Sequence, residues 1–432
     1  MASRVSLTLL ALCLLAFCSG IDGRQSSHSK RRPSNHKKWI PTWGSMPQLT
    51  EPANLPPPPF NQSGQVFFNS TIRQTIKTSV GGSQIRLRFS NAFGIYDLPI
   101  TAVTVSLSRN RGAGINAIQT KTLKSVKFSG SSNYIVPQGA LVVSDPIDFA
   151  VPAQTILTVT MYLAEGQQSN FITSHPGSRA ASWLTQGNQV SSESLSGASL
   201  ASVAHWYFLS NVEVLAPRDS KAFAIVGDSI TDGRGSDTNK NNRWPDLLLT
   251  RLQKRPSRSN IAFINQAAGG NRVLYDGLGP NALSRIDRDV LSQSSVQYAM
   301  IFEGVNDIGT TITSPSAQRI VGDRLIAAYK QMATRLRTAD IEVWGATITP
   351  FSAPANYTGQ PYSDPERERT RQRVNRWIRE GGNFDEVVDF DRILRDEKVP
   401  SQLKMEYNSG DYLHPNVAGY QRLADSFPLH IF

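Results

Sequence analysis

Ala222-Phe223-Ala224-Ile225-Val226-Gly227-Asp228-Ser229 is an apolar run that ends abruptly in glycine, acid and hydroxyl. Five consecutive apolar residues bounded by a turn signal read as a strand buried on both faces. Gly227 permits a tight turn, after which Ser229 opens a helix. Open α/β sheets collect their ligands at the carboxyl ends of strands. Ser229 is therefore expected at such an edge, with its own backbone N–H unpartnered because first-turn amides have no intrahelical acceptor.

The same rhythm continues downstream. Helical patterning runs from Trp244 to Leu252, from about Ser316 to Arg337, from Pro365 to Glu380 and after Pro415. Between these lie strand candidates Ala262–Asn265, Tyr298–Phe302, Glu342–Ile348 and Val387–Phe390. Such alternation predicts a parallel sheet with helices on both faces. Upstream the period changes to two, as in Ile85–Phe89, Val103–Leu107 and Leu157–Leu163, with turns at Gly81-Gly82, Pro137-Gln138-Gly139 and Asp145-Pro146. Short alternating segments predict half-buried strands in a β-sandwich-like domain. Pro56–Pro59 reads as an extended connector. The change falls near Ala216-Pro217-Arg218-Asp219, giving a β-rich domain over 39–215 and an α/β domain over 216–432.

Residues 1–23 read as a secretory signal: Arg4 is followed by a mostly apolar stretch, Val5 to Phe17, and small residues at Ser19 and Gly20. That run is too short to span a bilayer comfortably, and no other segment is a candidate transmembrane span. Both cysteines, Cys13 and Cys18, lie in the leader, so no disulfide, catalytic thiol or cysteine-held zinc is expected in the mature chain. Net charge is +11, but residues 24–38 hold six positive charges and no acid, leaving +5 for the rest. This basic leader is expected to be disordered, with adhesion to an acidic polymer as the sharper alternative. Nucleic-acid binding is not expected. Three sequons, at Asn61, Asn69 and Asn356, are glycan acceptors if the chain is exported into a glycosylating compartment.

Serine needs a base within hydrogen-bond reach and donors for a developing oxyanion. His28 and His36 fall in the basic leader, His175 and His205 in the β-rich half, and His430 almost at the end. His414 remains, in a loop before the last helix, and Asp411 three residues earlier is placed to fix its tautomer. Two further strand ends offer donors: Gly270 in Asn265-Gln266-Ala267-Ala268-Gly269-Gly270-Asn271-Arg272, and Asn306 in Glu303-Gly304-Val305-Asn306-Asp307. Each cluster alone also reads as an ordinary turn. Their shared position at carboxyl ends of successive elements makes convergence on one site the better reading.

In these four blocks, from about Phe223 to Phe427, the chain resembles the GDSL family of the SGNH hydrolase superfamily. The longer matches, Gly227–Gly233, Gly269–Leu274 and Asp411–Gly419, are similar to the secreted subgroup with an N-terminal β-rich domain. The resemblance implies a three-layer, flavodoxin-like parallel-sheet domain. It also implies Ser229 as nucleophile, His414 as general base and Asp411 as its partner. The backbone N–H groups of Ser229 and Gly270, with the Asn306 side chain, would form the oxyanion hole. Ester hydrolysis through an acyl-enzyme, with no metal and no cofactor, follows. Gly227-x-Ser229-x-Thr231 lacks the second glycine of the nucleophile elbow found in the other common serine-esterase architecture.

Substrate is less determined than reaction type. Acyl or acetyl esters of carbohydrates and lipid or aliphatic esters both fit, and the oligomeric state is open. Trp183, Trp206 and Tyr207 are aromatic candidates for sugar stacking, with core packing as the alternative. Asp228, Asp232 and Asp307 are read as turn and supporting residues rather than a cation site. Two rival readings stand beside the hydrolase: a non-catalytic carbohydrate- or wall-binding protein, and an acyltransferase using the same triad.

Overall fold

The computed structural model describes residues 37–62 and 64–432; the expected signal and nearly all of the basic leader lie outside them. The first strand, Lys37–Gly44, begins two residues before the expected start of the β-rich part and pairs antiparallel with Leu209–Pro217, Lys37 opposite Pro217. The strand-rich region thus closes on its own two ends. Its larger sheets are antiparallel. One has the order Lys37–Gly44, Leu209–Pro217, Ile85–Ser90, Leu141–Val143. The other has six strands centred on Ser70–Lys77 and Ile156–Leu163. Alternation has the expected consequence in Ile85–Ser90. Ile85, Leu87 and Phe89 are fully buried, while Arg86 and Arg88 reach the Glu213 carboxylate on the neighbouring strand.

The second half holds five parallel strands: β1 (Lys221–Gly227), β2 (Ile261–Ala267), β3 (Val296–Phe302), β4 (Glu342–Ala346) and β5 (Glu386–Val388), in the order β2-β1-β3-β4-β5. Its helices are α1 (Ser229–Asp232), α2 (Trp244–Gln253), α3 (Ala282–Ile286), α4 (Val305–Thr310), α5 (Pro315–Arg337), α6 (Pro365–Glu380), α7 (Phe390–Leu394) and α8 (Val417–Ser426). Ser314 caps α5 and Asp364 caps α6, each followed by proline at the first helical position. On α5, Leu325, Ala328, Met332 and Leu336 form the buried stripe against the sheet.

Two strands are shorter than the sequence predicts. The β4 strand stops at Ala346 rather than Ile348, and β5 at Val388 rather than Phe390. Asp389 accepts a hydrogen bond from the Arg392 N–H and so caps α7, which takes Phe390 out of the sheet and into a helix. Among the described residues no helix is long and apolar enough to cross a membrane.

Two features of the sheet position the site. Gly227 lies level with Ala267 of β2 and with Phe302 of β3, so three strands end together and their following loops share one edge. The outer edge of β2 is covered by the strand-rich region: the Phe263 N–H donates to Ser79 Oγ at 3.0 Å, and Ala262 packs into the strand-rich core. An open edge amide is thereby satisfied.

Candidate active site

Ser229 stands at the first position of α1. Asp228 precedes it as the N-cap and accepts from the Ile230 N–H at 2.9 Å, and Gly233 ends the turn at φ 99°. The serine is nearly buried, and its Oγ lies 2.8 Å from His414 Nε2. His414 Nδ1 in turn faces Asp411 Oδ2 at 2.6 Å. The other Asp411 oxygen accepts the Leu413 and His414 N–H groups at 3.0 and 2.8 Å. Carboxylate and imidazole are thus locked in one short loop.

Electrostatics follow the geometry. Burial disfavours the imidazolium and lowers the His414 pKa, although Asp411 pulls the other way. Burial also works against the Asp411 carboxylate, but the His414 ring and the two backbone donors outweigh it and hold the group well below the usual range. Asp411 is therefore ionised, and donation from Nδ1 leaves Nε2 as the acceptor facing Ser229.

The two adjacent glycines divide their work. Gly269 N–H donates to Asp232 Oδ2 at 3.1 Å and is spoken for. Gly270 N–H has no acceptor among the described residues. Gly270 takes φ 73°, and a Cβ there would collide with Leu278, so both backbone conformation and space call for glycine. Asn306, on the first turn of α4, donates one Nδ2 hydrogen to Asn271 O at 2.8 Å, while its Oδ1 accepts from Tyr362 OH at 3.0 Å. The amide orientation is fixed, and one N–H remains available.

Three carboxylates support these loops. Asp307, pushed up to about 6 by burial, accepts from the Val273 and Leu274 N–H groups at 2.8 and 2.9 Å. Asp228 is raised to about 7, again by burial. Glu303 is raised by burial and by the nearby Asp228, opposed by Arg285. The Arg285 guanidinium reaches Gln266 O at 2.6 Å, Asp289 at 3.0 Å and Glu303 at 3.3 Å beneath the strand ends. Among the described residues no cluster of His, Cys, Asp or Glu is arranged to hold a metal ion.

Sequence reading missed His175 and the walls of the site. His175, from the strand-rich region, is buried with Nε2 2.9 Å from Asp232 Oδ1 and Nδ1 3.0 Å from Met46 O. Asp232 thus ties the strand-rich region to the Gly269 amide. A cavity of about 430 Å³ holds Ser229, His414, Gly270 and Asn306, and Gln48, Glu51, Asn54 and Arg179 reach it from the strand-rich region. No local motif marks those contacts. The aromatic candidates fall elsewhere: Trp206 and Tyr207 are core, with Trp206 edge-on to Trp43 at 4.8 Å, and the Trp183 indole N–H bonds to Gly114 O.

Comparison with known proteins gives a consistent result. Residues 225–422 match the GDSL-like Lipase/Acylhydrolase family. No curated protein matches the chain. Similar solved structures include a GDSL-like lipase from Bacteroides thetaiotaomicron, at 18% identity over 48% of this chain and 84% of that one (TM-score 0.33). An acetyl xylan esterase aligns at 18% identity over 48% and 96% (TM-score 0.36). TesA aligns at 21% identity over 48% and 95% (TM-score 0.35). Residues 225–422 thus form a GDSL-like lipase/acylhydrolase domain, and this domain is that of a carboxylic ester hydrolase.

Proposed function

We propose that Ser229 is the nucleophile of a two-step acyl transfer, with His414 as general base and Asp411 as its orienting carboxylate. The observation that carries this reading is the continuous 2.8 and 2.6 Å relay from Ser229 to His414 to Asp411 inside a cavity that Gly270 and Asn306 also line. His414 Nε2 takes the hydroxyl proton as Ser229 Oγ bonds to the ester carbonyl carbon. Negative charge then develops on the carbonyl oxygen, which accepts from the Ser229 and Gly270 N–H groups and the second Asn306 Nδ2 hydrogen. The ester C–O bond breaks, and the leaving alcohol takes the proton from His414. Water, deprotonated by the same imidazole, attacks the acyl-enzyme and releases the acid and free Ser229.

The reading extends to architecture and substrate. The strand order β2-β1-β3-β4-β5 supports a flavodoxin-like, three-layer hydrolase domain over 216–432. A sandwich-like accessory domain over 39–215 fits the shared core of the antiparallel sheets. Polar side chains dominate the part of the cavity wall that comes from the strand-rich region. That wall favours acyl or acetyl esters of carbohydrates, or other short polar esters, over long lipid chains. Export by the leader and glycans on Asn69 and Asn356, both exposed, complete the proposal.

A panel of aryl esters of two to sixteen carbons and acetylated polysaccharides, assayed for acid release with wild type and Ser229→Ala, tests it. Turnover confined to wild type and to short or sugar-borne acyl groups is expected. Turnover that survives in Ser229→Ala overturns the nucleophile, and preference for long chains overturns the substrate class. Transfer to an added alcohol in place of acid release would indicate an acyltransferase.

A further inference from the structure

The cavity beside Ser229 contains two guanidinium groups without partners. Arg179, half-buried, and Arg234, exposed to solvent, both line it, and among the described residues neither has a carboxylate at ion-pair distance. Arg243 and Arg285 of the α/β half are paired instead, with Asp246 at 2.8 Å and with Asp289 at 3.0 Å. Arg179 Nε is buried with no acceptor among the described residues. A buried donor left unmade costs stability unless a ligand completes it.

Both arginines are also held in place. Arg179 sits at φ 49°, a left-handed conformation that a non-glycine residue adopts at a cost. Its carbonyl accepts from the Asn239 N–H at 2.8 Å, and Asn239 Oδ1 accepts from the Ala181 N–H at 2.7 Å. At the start of the same segment His175 is fixed on Asp232 at 2.9 Å. Arg234 follows the Gly233 cap of α1, where its N–H donates to Ser229 O at 2.9 Å and its carbonyl accepts from Tyr420 OH at 2.5 Å. Each backbone is pinned while each side chain stays unpaired. Glu51 shares the cavity, but its two oxygens already accept from Gln48 Nε2 at 2.5 Å and Asn54 Nδ2 at 2.9 Å.

We infer that Arg179 and Arg234 form an anion subsite, so that the preferred substrate is an ester whose acyl or alcohol part carries an oxyanion such as a carboxylate. Guanidinium matches that group through charge-assisted, paired N–H donors. The inference rests on the ester-hydrolase reading and adds a substrate class to it. Both positive charges also bear on His414 and lower its pKa, which agrees with their facing the reacting centre.

The test compares esters matched except for charge. On the alcohol side these are 4-acetoxybenzoate and its methyl ester; on the acyl side, mono-4-nitrophenyl adipate and its methyl ester. We expect wild type to favour the anionic member of at least one pair by about tenfold or more in kcat/KM, with the preference shrinking as sodium chloride screens it. The side that responds places the anion on acyl or alcohol. In Arg179→Gln and Arg234→Gln the anionic-to-neutral ratio should fall several-fold. Equal turnover of both members of both pairs, abolished by Ser229→Ala, overturns the subsite and leaves the hydrolase reading intact. Calorimetric titration of Ser229→Ala with 4-acetoxybenzoate and with mono-4-nitrophenyl adipate gives a readout independent of turnover. Binding of either that weakens in the Arg179→Gln background supports the subsite, and no binding of both contradicts it.

Discussion

The parallel sheet and the strand-rich region meet at the same cavity by different routes. From the sheet come Ser229, Gly270 and Asn306, each two to four residues past a strand end, with His414 in a loop before the last helix. Level strand ends bring those loops together, so the chemistry is a consequence of register. The strand-rich region contributes Gln48, Glu51, Asn54 and Arg179 to the walls, and His175 beneath them. These come from loops, a 3-10 turn and strands of two and three residues, and no regular spacing unites them. In the proposed mechanism one region supplies the reacting groups through topology, and the other shapes what reaches them through tertiary packing.

The largest effect should come from the sheet side. Ser229→Ala is expected to lower kcat by roughly 10⁴- to 10⁶-fold, as removal of a serine nucleophile generally does; near-normal kcat in a folded mutant would break the division of labour. Next, Asn306→Ala removes one of the proposed oxyanion donors and should cost about 10²- to 10³-fold in kcat with little change in KM. A matched rise in KM alone would move Asn306 from transition-state stabilisation to ground-state binding.

The third prediction crosses between the regions. His175→Ala leaves the buried Asp232 carboxylate short of a donor and should cost about 1–3 kcal/mol in denaturant unfolding. It should also lower kcat by about tenfold, because Asp232 orients the Gly269 amide next to Gly270. A fall in stability with unchanged kcat would make the strand-rich region a brace and nothing more. The smallest effect is a shift in pH dependence. In the proposed mechanism His414 works as the neutral imidazole, and burial lowers its pKa, so the neutral form persists to lower pH. The acidic limb of kcat/KM should therefore lie below about 6.5, the ordinary histidine value. A limb above that value would contradict the burial argument.

What was legible in the sequence follows the same line. Apolar runs, caps and the Gly-Asp-Ser turn are local signals, and they located β1 to β3, α5, α6 and the four blocks. The ends of β4 and β5 were misjudged because apolar Ile348 and Phe390 read as strand, whereas Asp389 capping α7 decides the second case. Gly269 and Gly270 could be told apart only by which amide was already bonded, a fact of three dimensions. Arg179 and His175 carry no pattern of their own. Their roles depend on a segment folded against Asp232 and Asn239, more than fifty residues away in the chain.

The most direct test of the central claim is covalent trapping. Protein treated with a fluorophosphonate carrying a short alkyl chain would be digested, and the modified residue located by mass spectrometry while ester hydrolysis is followed in parallel. A single adduct on Ser229, formed in proportion to lost activity and absent in His414→Ala, is the predicted result. Full inactivation with the adduct on another residue, or undiminished hydrolysis by protein fully labelled at Ser229, would contradict it.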